Sequence, residues 1–105
     1  MNMVKIVTFV PLTHADVVRD AIGKAGGGKI GNYTFCSFSS IGTGRFKAGQ
    51  GAHPAIGSVG EIESVEEERI EFLCNKEDVT KIAAAIRSAH PYEEVPIDAY
   101  SMEML

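Results

Sequence analysis

The chain has 105 residues, of which 45% are hydrophobic and 23% are charged, and its formal net charge is −4. This length and composition predict one folded domain over residues 1–105. The negative charge disfavours nucleic acid and anionic membranes as partners, because both require a basic surface. No apolar run approaches the roughly 18 residues of a transmembrane helix, and the N-terminal run lacks a signal-peptide cleavage site. We therefore expect a cytoplasmic protein without a membrane partner.

The first part of the chain predicts a strand, a helix and a second strand. Residues 4–10 are short, apolar and rich in β-branched side chains, which is typical of a strand, and Pro11 ends it. Thr13 is expected to cap a helix whose apolar residues recur at helical spacing until three consecutive glycines at 26–28. Residues 33–41 predict the second strand, with apolar side chains on both faces.

The middle of the chain predicts a long loop, a third strand and a second helix. Residues 42–60 contain six glycines, and long loops in compact domains are usually functional or mobile. Residues 61–74 begin as an acidic stretch and continue as an alternating strand. Asn75 is expected to cap the second helix. That helix should end near His90, because Pro91 disfavours helical geometry in the residue before it.

A last short strand is predicted at 95–100. It is expected at an edge of the sheet, because Pro96 has no backbone N–H to pair with a second neighbour. The element order βαββαβ is that of a ferredoxin-like α+β sandwich. Such a fold has a four-stranded antiparallel sheet, two helices on one face, and here a long loop between strands 2 and 3. The apolar residues on both sheet faces are more than a half-solvated sheet needs. We therefore expect self-association to cover the second face.

The sequence HPYEE at 90–94 is the first candidate site. His90 would end a helix, where the helix dipole favours a protonated imidazole. Glu93 and Glu94 could bind a metal ion or form an acid–base pair with His90, and Tyr92 could donate a hydrogen bond. The alternative is a purely structural role, in which the histidine caps the last carbonyls and the tyrosine packs.

The glycine-rich segment 42–60 is the second candidate site. Arg45 and Lys47 could hold a small anion together with backbone N–H groups, although the spacing is not that of a P-loop. His53 could join His90 and Glu93 in a divalent metal site. Alternatively, the segment is only a flexible loop, and the His53 side chain is only solvated.

Other reactive side chains give weaker signals. The six glutamates between positions 61 and 71 are typical of a solvated face. Cys36 and Cys74 are expected to be reduced and buried, and His14 is expected to be structural. No serine, cysteine or lysine lies beside a histidine in a pattern typical of an activated nucleophile. The sequence therefore predicts a protein that is not an enzyme.

Five segments, taken in their order, resemble the YqfO-type domain of the Nif-three-like, dinuclear-metal-centre proteins. The resemblance covers nearly the whole chain, and the Gly-Asn-Tyr and His-Pro-Tyr-Glu-Glu motifs are the most specific parts of it. The segments are KIVTFVP at 5–11, GKIGNYTFCSF at 28–38, GTGRF at 42–46, PAIGSVG at 54–60 and AHPYEEVPIDAY at 89–100.

The resemblance implies a fold similar to the signalling protein PII and the divalent-cation-tolerance protein CutA, which are ferredoxin-like domains that form trimers. In many family members this domain is inserted between two halves of a larger metal-binding protein, whereas this chain resembles a stand-alone form. The dinuclear metal ligands lie in those halves and are not implied here. His53 stands where the family usually has asparagine or glutamine, which argues against a shared role for it.

Residues and resemblance together predict a non-catalytic, oligomeric binding or regulatory module. Its ligand, a small anion or a metal ion, is expected in an inter-subunit cleft between the 42–60 loop and HPYEE. Arg45 and Lys47 would hold negative charge, and His90, Glu93 and Glu94 a cation or polar group. One alternative is a CutA-like protein that binds a divalent metal, the one cofactor the sequence suggests. Another is an assembly partner of a Nif-three-like protein.

Overall fold

The computed structural model describes residues 2–105 and contains four strands and two helices. Short 3-10 turns, Leu12–His14 and Lys76–Asp78, precede the helices. The sheet order is β2-β3-β1-β4, and every neighbouring pair is antiparallel. The elements are β1 (Met3–Pro11), α1 (Ala15–Lys24), β2 (Phe38–Lys47), β3 (Ile62–Asn75), α2 (Val79–Ala89) and β4 (Ile97–Ser101).

The core lies between the sheet and the two helices. Alternate residues of β1 and β3 share one face of the sheet, and these residues form one buried cluster with apolar residues of both helices. The cluster includes Ile6, Ile70, Phe72, Val18, Ile22, Ile82 and Ile86. Burying each large aliphatic side chain contributes about 1.5–3 kcal/mol. This arrangement confirms the predicted α+β ferredoxin-like sandwich.

The boundaries of β2 differ from the prediction. Residues 33–37 are not part of a strand, and β2 instead runs from Phe38 to Lys47. The preceding segment is held by the Gly28 N–H bond to the Leu73 carbonyl (2.7 Å) and the Cys36 N–H bond to the Gly28 carbonyl (2.9 Å). Phe35 has a φ of 59°, which is incompatible with strand geometry. The predicted strand is therefore wrong for residues 33–37 and confirmed for residues 38–41.

The loop between β2 and β3 is shorter than predicted. Residues 42–47 pair with β3 in an unbroken register that ends at Lys47 opposite Ile62. Glycine weakens strands, but the long strand β3 supplies a hydrogen-bonding partner for these residues, so they are part of the sheet. The loop therefore occupies residues 48–61.

The helix starts also differ from the prediction, while the helix ends agree with it. Neither Thr13 nor Asn75 caps a helix with its side chain, because each helix begins after a 3-10 turn. Gly26 adopts a φ of 100° just after α1, as a C-terminal glycine should. His90 is extended after α2, consistent with the influence of Pro91. β4 is an edge strand as predicted.

The sheet face opposite the helices is covered in part by the chain itself. Val7 is fully buried on this face. Around it, Lys5 lies 3.6 Å from Glu71, and the Arg69 guanidinium lies 5.8 Å from the centroid of the Phe9 ring. Long charged side chains thus shield apolar surface here, and less of this face is left for a partner to cover than the sequence suggested.

Two further predictions concern the cysteines and the membrane. Cys36 and Cys74 are both free thiols; Cys74 is buried as expected, whereas Cys36 is partly exposed. No helix within residues 2–105 is long and apolar enough to cross a membrane.

Candidate ligand-binding cleft

A cleft of about 590 Å³ lies where the β2–β3 hairpin, the following loop and the chain before β4 meet. Its walls are formed by residues 44–49, 52–56 and 92–96, and Phe9 and Glu67 complete the lining. Both candidate sequence segments therefore meet at one cleft within a single chain. This volume lies within the usual range for sites that bind small organic molecules.

Strand register places Glu67 against the glycines of β2. Glu67 pairs with Gly42 in the sheet, and Gly44 is two residues farther along the same face. A Cβ atom at Gly44 would lie 1.9 Å from Glu67 Oε1. The absence of a side chain at Gly44 therefore allows the Glu67 carboxylate to lie across the strand at the cleft.

Tyr92 connects the chain before β4 to this carboxylate. Its phenolic hydroxyl donates a 2.7 Å hydrogen bond to Glu67 Oε2. Its ring meets the ring of Phe46 edge to face, with centroids 6.2 Å apart. Burial, together with the bond to Glu67, raises the pKa of Tyr92 well above its ordinary value of 10.0. Tyr92 is therefore a neutral hydrogen-bond donor at physiological pH.

His90 is a buried support for Tyr92. Its Nε2 atom donates a 2.7 Å hydrogen bond to the Phe9 carbonyl, and its Nδ1 atom accepts one of 3.1 Å from the Tyr92 backbone N–H. The imidazole is therefore neutral, with its proton on Nε2. Burial is the main cause that lowers the pKa of His90 from 6.5. The helix C-terminus favours a protonated imidazole, but burial disfavours the charged form at this position.

A further hydrogen bond holds the same segment at its other end. The Thr8 hydroxyl, which is fully buried, donates a 2.9 Å bond to the Pro96 carbonyl. Residues 90–96 are thus anchored to β1 at both ends, through Phe9 and Thr8. The side chain of Tyr92 projects from a fixed backbone, which preorganises the cleft.

The three residues predicted to bind metal have different environments. The His53 backbone N–H donates a 2.9 Å hydrogen bond to Glu93 Oε1, so the loop and the HPYEE segment are in contact. Both ring nitrogens of His90 are engaged within the chain. Within residues 2–105, no three His, Cys, Asp or Glu side chains lie close enough together to hold a metal ion. The metal site stays a prediction.

The charged residues that border the cleft are distributed unequally. Arg45 and Lys47 line it, but strand alternation directs their side chains to the face opposite Phe46. Glu93 and Glu94 lie at its exposed rim, and Glu67 lies inside it. Three acidic residues therefore border the cleft, together with two basic residues whose side chains are directed to the other strand face. An anion held by Arg45 and Lys47 stays a prediction.

Phe9, Phe46 and Glu67 line the cleft but are not among the predicted site residues, and Glu67 is the charged one of the three. It belongs to the acidic run at 61–71, whose composition predicts a solvated face. Its role depends on its pairing with β2, and that pairing was hidden because residues 42–47 were assigned to a loop. The available signal was the Gly-x-Gly spacing of Gly42 and Gly44, which opens one face of a strand to a long side chain opposite it.

Proteins named GTP cyclohydrolase 1 type 2 homolog match nearly the whole chain. The protein from Halalkalibacterium halodurans is 48% identical over 101 residues, covering 96% of this chain and 27% of its own length. The Bacillus subtilis protein is 46% identical over 99 residues, covering 94% and 26%. The chain thus spans about a quarter of the length of these curated relatives. No protein-family model matches the chain.

Solved structures that resemble this chain include a protein related to NIF3 and proteins of the CutA fold. A Bacillus cereus protein related to NIF3 superposes with a TM-score of 0.86 at 47% identity, covering 98% of this chain and 26% of that protein. The periplasmic divalent cation tolerance protein CutA from Archaeoglobus fulgidus superposes with a TM-score of 0.69 at 15% identity, covering 97% and 85%. This second match supports the fold alone. The chain is therefore a homologue of the YqfO-type domain of the Nif-three-like proteins, and it has the PII/CutA-like fold.

Proposed function

We propose that this domain is a non-catalytic binding module whose ligand occupies the cleft beside Tyr92 and Glu67. The observation that carries the proposal is the 2.7 Å bond between these two side chains within a preorganised cleft of about 590 Å³. Three separate stretches of the chain converge there. A fixed concave site with a few polar groups among apolar walls is the usual form of a ligand pocket.

The chemistry of the central groups supports binding rather than catalysis. Tyr92 retains its proton, because burial and Glu67 raise its pKa. His90 has both ring nitrogens in internal hydrogen bonds and is 7% exposed. A general acid or base must reach the substrate and exchange a proton near the working pH. Tyr92 and His90 are arranged to hold their protons, so we infer a role in positioning a ligand.

We further propose that the module self-associates, as a trimer of the kind that the family resemblance implies. The β2–β3 hairpin exposes large apolar side chains: Phe38 is 66%, Ile41 68% and Ile62 73% exposed. β2 is also an edge strand with unpaired backbone groups. Exposed apolar side chains on both faces of this hairpin, next to an unpaired strand edge, favour a protein partner. In such an assembly the cleft, which lies along this hairpin, would be bordered by a neighbouring copy.

The ligand classes expected from the sequence are a small anion and a metal ion. Because Glu67, Glu93 and Glu94 border the cleft, a positively charged ligand is favoured over an anion. A divalent metal would use His53 and Glu93, as in the CutA-like alternative, with further ligands from a neighbouring copy. Elemental analysis of the gently purified protein tests this alternative, and sub-stoichiometric metal would contradict it.

Native mass spectrometry of the gently purified protein tests the main proposal. We expect a trimer that carries a stoichiometric extra mass. The Glu67→Gln variant should lose that mass, whereas Glu66→Gln should keep it, because Glu66 lies on the opposite face of β3. A bare wild-type monomer would contradict both the binding role and the assembly.

A second candidate function is assembly with a Nif-three-like protein. It is favoured by the 47% identity and the TM-score of 0.86 between this chain and part of a protein related to NIF3. Co-purification of the tagged domain from its own cells tests this candidate. Recovery of the domain without a Nif-three-like protein would contradict it.

A further inference from the structure

We propose that the ligand of the cleft is a small organic cation, an ammonium or guanidinium group on an apolar body. This inference rests on the proposed function, because it takes the cleft beside Tyr92 as the binding site. It goes further by naming the chemical class of the ligand. Charge, aromatic surface and size each support it separately.

The first argument is the charge inside the cleft. Glu67 Oε2 accepts the hydrogen bond from Tyr92, and among the described residues no hydrogen bond reaches Oε1. The nearby Arg69 is already engaged, since its guanidinium bonds to Glu71 at 3.2 Å. Glu67 thus has an oxygen available to accept from a ligand N–H, which is a charge-assisted bond if the ligand is a cation.

The second argument is the aromatic lining. The rings of Phe9, Phe46 and Tyr92 all line the cleft. Aromatic faces attract ammonium and guanidinium groups within about 6 Å of the ring centroid. The protein already uses this interaction on the same sheet face, where Arg69 lies 5.8 Å from the Phe9 centroid. A neutral apolar ligand would use the rings but not the carboxylate.

The third argument is size. The cleft volume of about 590 Å³ fits an organic molecule, whereas a bare metal ion would leave most of it unfilled. Pro54, Ile56 and Val95 supply apolar walls beside the rings. A hydrocarbon body that carries a positively charged nitrogen satisfies both the walls and Glu67. An anion of the same size would face Glu67 at close range, which is unfavourable in a partly desolvated site.

Titration calorimetry with defined probes tests the inference. The probes are agmatine, spermidine and choline as organic cations, with inorganic phosphate and Zn²⁺ as the competing classes. We expect at least one organic cation to bind with one site per chain. Glu67→Gln should weaken that binding roughly tenfold, because it removes the charge that assists the hydrogen bond. The matched control Glu66→Gln should change it less than about twofold.

Three outcomes would overturn the inference. One is the absence of binding by all three organic cations up to about 10 mM, an affinity weaker than any specific site requires. Another is preferential binding of phosphate or Zn²⁺ at a site that Glu67→Gln abolishes. The third is cation binding that Glu67→Gln leaves unchanged while circular dichroism shows both variants folded. In the second outcome the cleft is still a binding site, so the proposed function survives. If native mass spectrometry instead shows the protein without a bound ligand mass, the proposed function itself is contradicted.

Discussion

The hydroxyl of Tyr92 donates a 2.7 Å hydrogen bond to Glu67, which lies 25 residues earlier in the sequence. This bond joins the last segment before β4 to the hairpin that carries the cleft. Each partner is fixed by a separate feature. His90 anchors the backbone of Tyr92, and the small size of Gly44 leaves space for Glu67.

The Tyr92→Phe variant should be less stable than the wild type by about 1–2 kcal/mol, because a partly buried carboxylate loses its hydrogen-bond donor. Urea unfolding monitored by circular dichroism measures the difference. Tyr33→Phe is the matched control, since Tyr33 is 74% exposed, and it should change stability by less than about 0.5 kcal/mol. Equal stabilities of the two variants would contradict a contribution from the Tyr92–Glu67 bond.

His90 should make the fold less stable in acid. Its pKa in the folded state is lowered from 6.5, so the unfolded chain binds a proton more readily. The stability that His90 contributes is therefore complete above about pH 6.5 and falls as the pH decreases towards the folded-state pKa. Protonated Nδ1 could no longer accept from the Tyr92 N–H. Unfolding free energies measured between about pH 7 and 5 test this dependence.

The control for that measurement is a pair of histidine variants. His90→Gln should lose stability at neutral pH and should show a weaker decline over the same pH interval. His53→Gln replaces an exposed loop side chain and should follow the wild-type profile. The same pH profile for His90→Gln and wild type would show that other groups cause the acid sensitivity.

Gly44→Ala should disturb the cleft while leaving the fold intact. The added Cβ would lie 1.9 Å from Glu67 Oε1, so the carboxylate must move away from Tyr92. Gly42→Ala, on the same strand face, is the matched control, because nothing lies within 4 Å of its added Cβ. We expect Gly44→Ala to lose the bound mass in native mass spectrometry and Gly42→Ala to retain it. Retention by both variants would contradict the role assigned to Gly44.

Gly23→Ala should destabilise the protein, although alanine is normally the better helix former by about 1 kcal/mol. The added Cβ would lie 1.9 Å from the Phe35 ring, which packs directly on the helix. We expect a loss of about 1–3 kcal/mol from overpacking. In the Phe35→Ala background the same change should become neutral or stabilising. A stabilising Gly23→Ala change in the wild-type background would contradict this packing.

Sequence reasoning predicted the fold well where a local pattern determines the structure. The apolar spacing of α2 and the position of Pro91 predicted a helix that ends next to His90, and the structure agrees. It failed at 33–37 and 42–47, whereas 38–41 is a strand as predicted, because the extent of β2 is set by pairing with β3, a distant partner. Phe35 has a β-forming side chain but a positive φ, which no local pattern revealed.

The candidate site was predicted only in part, because it too depends on long-range strand pairing. The HPYEE motif and the glycine segment do meet at one cleft, and five of the six predicted ligand-binding residues line it: Arg45, Lys47, Tyr92, Glu93 and Glu94. His90 instead supports the cleft from within the protein. The side-chain directions of Arg45 and Lys47 depend on the strand register, which the sequence did not reveal. Glu67 gives no signal of its own in the sequence, because its place in the cleft depends on its pairing with Gly42 in β2.

The most direct test of the binding cleft is an aromatic NMR spectrum recorded before and after adding small molecules extracted from the protein's own cells. The chain has five phenylalanines and three tyrosines, so assigned ring signals report on separate regions. We predict shifts at Phe46, Tyr92 and Phe9, with Tyr33 and Tyr100 unchanged. Shifts confined to rings outside the cleft, or no shifts at all, would contradict the account.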